Sequence, residues 1–110
     1  MNRSKSKGTD WESKIVDYLS RWWPHVERRA QSGANDKGDI AGIIGCAIEA
    51  KACATWAPQQ WLRELDAEMV NATADTGCVW AKVRGKGQAV DGIILMRPDM
   101  FVALLRAAGY

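Results

Sequence analysis

Between Asp39 and Lys51 the chain holds two short β-rich runs, Asp39 to Ile44 and Cys46 to Lys51, that meet at a single glycine, Gly45. Runs this short, joined by so tight a turn, pair with each other as an antiparallel hairpin. Alternation along the second run then sends Cys46, Ile48 and Ala50 to one face and Ala47, Glu49 and Lys51 to the other. Nine residues separate Asp39 from Glu49, and a hairpin of that length sets the aspartate at the start of one strand beside the glutamate in the middle of the next. Two carboxylates so placed repel each other unless a cation sits between them. Oxygen donors of this kind suit Mg²⁺ or Mn²⁺. Lys51 lies on the Glu49 face, where its ammonium can hold a water nucleophile or a phosphate oxygen beside the metal. Carboxylate, carboxylate and ammonium together suit hydrolysis of a phosphodiester.

The remaining elements form around that hairpin. Thr9-Asp10-Trp11-Glu12 has the form of a capping box, and Trp11, Ile15, Tyr18, Leu19 and Trp22 recur behind it at helical spacing. A first helix is predicted from Asp10 to Trp23, closed by Pro24, with Glu12 turned partly toward its apolar side. His25 to Ala30 reads as a short strand and Gln31 to Gly38 as a turn-rich loop. Pro58 opens a second helix whose stripe is Trp61, Leu62, Leu65, Met69 and Ala72. Cys78 to Arg84 and Asp91 to Met96 are two further strands, and Asp99 to Ala108 a last helix. The order is helix, three strands, helix, two strands, helix. It predicts an α/β protein with a mixed central β-sheet flanked by helices.

At 110 residues the chain is expected to be one domain. No apolar run approaches the about 18 residues of a membrane span, and the first ten residues are polar, so a soluble cytoplasmic protein with no membrane partner is expected. Three cysteines and one histidine, with no C-x-x-C pair, argue against a disulfide framework or a zinc site. Charge is uneven along the chain. Arg3, Lys5 and Lys7 face no acid in the first nine residues, and Lys82, Arg84, Lys86, Arg97 and Arg106 outnumber Asp91 and Asp99 in the last thirty. The acids concentrate between these basic ends, which suits a protein that grips a polyanion at its edges and keeps carboxylates for a metal inside. Residues 1–8 are expected to form a flexible basic arm.

Gly38-Asp39-Ile40 followed by Ile48-Glu49-Ala50-Lys51 resembles the PD-(D/E)-x-K nuclease superfamily, with Gly38 standing where that family has proline. Within it, the archaeal or phage type of Holliday junction resolvase has a glutamate in its first helix, an arginine and a serine four residues apart, the aspartate, and then the E-x-K strand. Glu12, Arg28, Ser32, Asp39, Glu49 and Lys51 match that order along residues 9–84.

The resemblance implies a restriction-endonuclease-like fold and a Mg²⁺- or Mn²⁺-dependent endonuclease acting on branched double-stranded DNA. It implies a metal held by Asp39, Glu49 and the Ala50 carbonyl, with Glu12 completing the site. Lys51 would stabilise the attacking water and the charge growing on phosphorus, and Ser32 would touch a phosphate. Arg28 or Arg29 is the expected phosphate contact. If the protein is phage-encoded, the reaction takes place in the host cytoplasm. Two alternatives remain beside it: a flap, fork or nicking endonuclease of the VRR-NUC kind, and a non-enzymatic DNA-binding module. Given the nuclease reading, Lys82, Arg84 and Lys86 are expected to track a DNA backbone, with Arg3, Lys5 and Lys7 adding contacts. Trp11, Trp22 and Trp61 are expected in the core. A junction is cut on two strands, so a homodimer is expected, with Trp61 and Leu62 of the second helix and nearby Trp56 at its interface.

Overall fold

A computed structural model describes residues 3–30 and 35–110, and for residues 3–7 the backbone alone. Its elements are α1 (Arg3–Leu19), β1 (Glu27–Arg28), β2 (Ile40–Ala41), β3 (Cys46–Lys51), α2 (Pro58–Ala72), β4 (Thr76–Ala81), β5 (Ile93–Leu95) and α3 (Pro98–Ala107), with a 3₁₀ turn at Ala89–Asp91. The five strands form one sheet in chain order. β3 and β4 run parallel, and the other three pairings are antiparallel. A parallel pair needs a crossover, and α2 provides it. The element order and the mixed sheet agree with the sequence.

The alternation in β3 divides the core in two. Ile48 faces α1, where Trp11, Ile15, Leu19, Val26, Ile40, Trp80 and Ala89 are buried together. Ala47 faces α2, against Trp61, Leu65, Val79 and Ala81. Trp11 ties α1 to the sheet by more than packing, because its indole N–H donates to the Trp80 carbonyl at 3.0 Å. The Trp80 indole in turn donates to the Ala89 carbonyl at 3.0 Å. Each aromatic body is buried with its one donor satisfied.

Several boundaries differ from expectation. α1 starts at Arg3 and not at Asp10, so residues 3–8, expected as an arm, are helical in their backbone. Nothing in that stretch breaks a helix outright, since lysine and arginine are good helix formers and Gly8 is tolerated. Thr9 therefore lies inside the helix and is not its cap. α1 also ends at Leu19, before Trp22, which stands 56% exposed and stacks edge-on against Tyr18 at 5.3 Å. The expected core position for Trp22 is thus corrected: the helical stripe runs out one turn before it. β4 stops at Ala81, so Lys82, Arg84 and Lys86 stand beyond it and not in a basic strand.

β2 is two residues long because the chain leaves the ladder at Gly42, whose φ is +101°. A Cβ there would fall 2.3 Å from the His25 carbonyl oxygen, so only glycine fits. Among the described residues, no helix is long and apolar enough to cross a membrane. Cys46, Cys53 and Cys78 are free thiols.

Candidate active site

Asp39 sits just before β2, in register with the middle of β3, and is anchored twice. Its backbone N–H donates to the Ile48 carbonyl at 2.8 Å. Its carboxylate Oδ2 accepts the Ala50 N–H at 2.8 Å. The second bond follows from strand geometry. Lys51 turns its carbonyl to β4, accepting from the Lys82 N–H at 2.8 Å, so the neighbouring Ala50 turns both of its backbone groups the other way, toward Asp39. Gly38, one residue earlier, has φ +99°. A proline cannot adopt that angle, so the departure from the family pattern at this position is required by this backbone.

Glu49 is the centre of the cluster. It is 6% exposed, as is Asp39, and Glu68 of α2 is 5% exposed. Burial pushes the Glu49 carboxyl up to about 12; hydrogen bonding to Asp39 and Glu68, and then their charges, push in the same direction. Glu68 is raised as well, chiefly by burial, with the charges of Asp36 and Asp39 adding to it and the Glu49 hydrogen bond and the Lys51 charge opposing. Carboxylate oxygens of Asp36, Glu49 and Glu68 all lie within 4.8 Å of one another. The Glu68 Oε2 is buried and has no hydrogen-bond partner. A buried carboxylate oxygen left without a donor is costly unless a cation or a proton meets it.

That donor set fits a hard divalent cation. Three carboxylate oxygens gathered so closely could hold such an ion, which takes oxygen ligands. Asp39 stands beside the same Glu49, and the Ala50 carbonyl points to the same side of β3.

Glu12 reaches the site from α1. Its carboxyl is raised first by burial and then by the Asp39 charge, while Arg28 opposes both. The Arg28 Nε lies 3.7 Å from the Glu12 Oε1, and its guanidinium donates to the Thr9 hydroxyl at 3.5 Å. Lys51 projects toward α2: its ammonium is 2.8 Å from the Glu64 Oε2 and 5.9 Å from the Trp61 ring centre. Burial works against the Lys51 charge, but the Glu64 hydrogen bond and the charges of Glu49 and Glu64 outweigh it and raise the ammonium's pKa. The Gln60 side chain donates to the other Glu64 oxygen at 3.2 Å, so Gln60 and Glu64 hold Lys51 in a chain of three.

The structure thus gathers Glu12, Arg28, Asp39, Glu49, Ala50 and Lys51 around one end of β3. Arg28 ends β1 and Arg29 follows it. Arg28 pairs with Glu12, whereas Arg29 lines a shallow hollow of about 370 Å³ with Lys37 and the residues from Ala41 to Cys46. Lys82 and Arg84 line a separate cleft of about 360 Å³ with Asp10, Lys14 and Trp56, and Lys86 is exposed in the turn that follows. Ser32 and the side chains of Arg3, Lys5 and Lys7 lie outside the described residues.

Three residues escaped the sequence reading. Glu68 falls inside the apolar stripe of α2, three residues after Leu65 and four before Ala72, and an acid within such a stripe is the signal that points to it. Glu64, one turn after Trp61, carried a weaker signal of the same kind. Asp36 looked like an ordinary turn residue, and it does act as one: its Oδ1 accepts the Gly38 N–H at 2.9 Å. Comparison with protein-family models, with curated proteins and with solved structures finds no match to this chain.

Proposed function

We propose that the protein is a divalent-metal-dependent endodeoxyribonuclease of restriction-endonuclease-like fold, acting on branched double-stranded DNA such as Holliday junctions. The observation that carries this reading is the buried Asp39–Glu49 pair, joined by Glu68 and completed by the Ala50 backbone, with Lys51 two residues along the same strand. A protein that only bound phosphate would gain nothing by burying carboxylates where a polyanion approaches.

Asp39, Glu49 and the Ala50 carbonyl would hold Mg²⁺ or Mn²⁺, with Glu68 and Asp36 on one side and Glu12 on the other. The ion, when bound, lowers the pKa of a water and neutralises charge on the phosphate. The chain's own groups do the rest. The Ala50 N–H fixes the orientation of Asp39. Glu64 and Gln60 fix Lys51, whose ammonium offsets negative charge on the phosphate oxygens. Arg28, held by Glu12 and Thr9 at the rim, is placed to meet a neighbouring phosphate. Lys82 and Arg84 give the cleft beside Trp56 a positive wall, with Lys86 exposed in the turn beyond it, along which a duplex arm can lie.

The deciding experiment incubates the protein with labelled four-way, three-way, flap and linear duplex DNA, with Mg²⁺ or with chelator, and resolves the products on denaturing gels. Mg²⁺-dependent cleavage of the four-way substrate ahead of the others is the expected result. Salt-sensitive binding without cleavage in Mg²⁺ or Mn²⁺ would leave a DNA-binding module instead. Preference for the flap, or single nicks as the main product, would move the assignment to a flap or nicking endonuclease.

A further inference from the structure

The end of α1 carries aromatic and basic side chains that serve neither the core nor the acidic centre. Lys14 and Tyr18 of α1, with Arg21 and Trp22 in the turn that follows it, line an open groove of about 910 Å³ against Gly87 to Val90. Lys14 comes two residues after Glu12, which sets it on the opposite side of the helix from the acidic centre. The aromatic part of the groove has a fixed footing. Tyr18 packs edge-on against the buried Trp80, with ring centres 5.9 Å apart, and Trp22 packs edge-on against Tyr18 at 5.3 Å. Trp80 is itself held by its bond to the Ala89 carbonyl. Trp22 is therefore positioned and yet 56% exposed. Its planes with Tyr18 and Trp23 meet at 67° and 60°, so neither of these neighbours lies flat on the indole.

The cations alternate with these rings. The Arg21 guanidinium stands 5.4 Å from the centre of the Tyr18 ring. The Lys14 ammonium rests against Gly87, where a Cβ would fall 3.2 Å from its Nζ. Lys14 also lines the cleft of Lys82, Arg84 and Trp56, so groove and cleft meet at its side chain. Along the two together, Lys14, Arg21, Lys82 and Arg84 outnumber Asp10 and Asp17.

We infer that this groove binds a single DNA strand, with an unpaired base stacked on Trp22 and the adjoining phosphates held by Arg21 and Lys14. Two properties select that occupant. A single strand alternates flat rings with negative charges, as the groove alternates an open indole with cations. Duplex DNA meets the cations but gains nothing from the indole, because its bases already stack on one another; an acidic peptide also meets the cations and leaves the indole uncovered. The choice of DNA rests on the nuclease reading above, whereas the stacking site does not.

Binding is measured in chelator, where a metal-dependent nuclease does not cut, so its outcome is separate from cleavage. A dye-labelled oligothymidylate of about ten nucleotides should bind about 10-fold or more tightly than an abasic strand of the same length, which keeps the phosphates and lacks the rings. Trp22→Ala should abolish that difference, leave the abasic strand's affinity unchanged and preserve the far-UV circular dichroism. Arg21→Gln should weaken both strands alike and make binding less dependent on salt. Equal affinity for the two strands would overturn the inference, and so would a difference that survives Trp22→Ala. Polyglutamate that displaces the labelled strand as readily as unlabelled thymidylate would also overturn it and make the groove a site for acidic peptides. Junction cleavage without a preference for thymidylate over the abasic strand would sink this site and spare the nuclease; the preference without any cleavage would do the reverse.

Discussion

The middle of β3 and the helix α3 depart from the usual distribution of polar and apolar residues in opposite directions. Around β3, Asp39, Glu49 and Glu68 are carboxyl groups inside the protein. On α3, Phe101, Val102, Leu104 and Leu105 are apolar groups outside it. Neither arrangement is stable in isolation: a buried carboxylate lacks solvation, and exposed apolar surface orders water. On the function proposed above, a cation would meet the first of these costs, while the second is left unmet by the described residues. The lesson is that a cost unmet within the chain points to something outside it, and the sign of the cost names the chemistry of the missing partner.

The strongest way to break the comparison is to remove the acids while keeping their shape. Asp39→Asn and Glu49→Gln should each lower Mg²⁺-dependent cleavage of a four-way junction by about 10³-fold or more, measured in single turnover, with DNA binding retained. Wild-type rates in either variant would mean that the buried acids serve the fold alone.

Next in size is the contrast in stability between inside and outside. Trp11→Ala removes the largest fully buried side chain, together with its bond to the Trp80 carbonyl, and should cost about 3–5 kcal/mol in urea unfolding. Phe101→Ala should change stability by less than about 0.5 kcal/mol. Equal costs at the two sites would show that α3 is packed after all.

Smaller effects come from the pH dependence of the acidic centre. The folded-state pKa values of Glu49 and Glu68 are raised above their ordinary value, so the folded state binds more protons than the unfolded state once pH exceeds about 4.5. Stability from these groups is fully present below that pH and is lost progressively as pH rises toward the folded values. Glu68→Gln removes one of the two and should raise stability at pH 8 without Mg²⁺ by about 1 kcal/mol, and it should flatten the pH profile. In the wild type, added Mg²⁺ should raise the thermal midpoint more at pH 8 than at pH 5, because ionised carboxylates bind the ion and protonated ones do not. An equal Mg²⁺ effect at both pH values, or one unchanged in Glu68→Gln, would remove Glu68 from the metal site.

The smallest effect concerns the Lys51–Glu64 pair, which is partly exposed. Glu64→Gln should alter stability by less than about 1 kcal/mol, yet lower cleavage several-fold and shift its pH profile, since Lys51 loses the charge that holds its ammonium in place. A stability change with no change in the profile would make Glu64 a structural partner only.

The sequence by itself determined the order of the elements, the mixed sheet and the face of β3 on which Glu49 and Lys51 lie. These follow from local rules. Period-two alternation, helical stripes and glycine or proline at turns are written along the chain, and their physical basis spans only a few residues. It also placed Asp39 near Glu49, although the register comes from a loop that leaves the ladder at Gly42 and pairs Ile40 with Ile48, not from the tight turn at Gly45 that the sequence suggests. The rest was decided by tertiary structure. Whether Glu68 meets Glu49, or Glu64 meets Lys51, depends on how α2 settles on the sheet after the crossover to β4. No local pattern encodes that rotation, though an acid inside the α2 stripe hinted at it. Trp22 and Trp61 look alike as members of helical stripes, but α1 ends before Trp22 and α2 continues past Trp61, so one is exposed and the other buried. α3 is the clearest case. Its apolar run predicts a helix correctly, because a helix is set by its own backbone hydrogen bonds, yet none of its residues is buried, since burial requires a second surface that the described residues do not provide for α3.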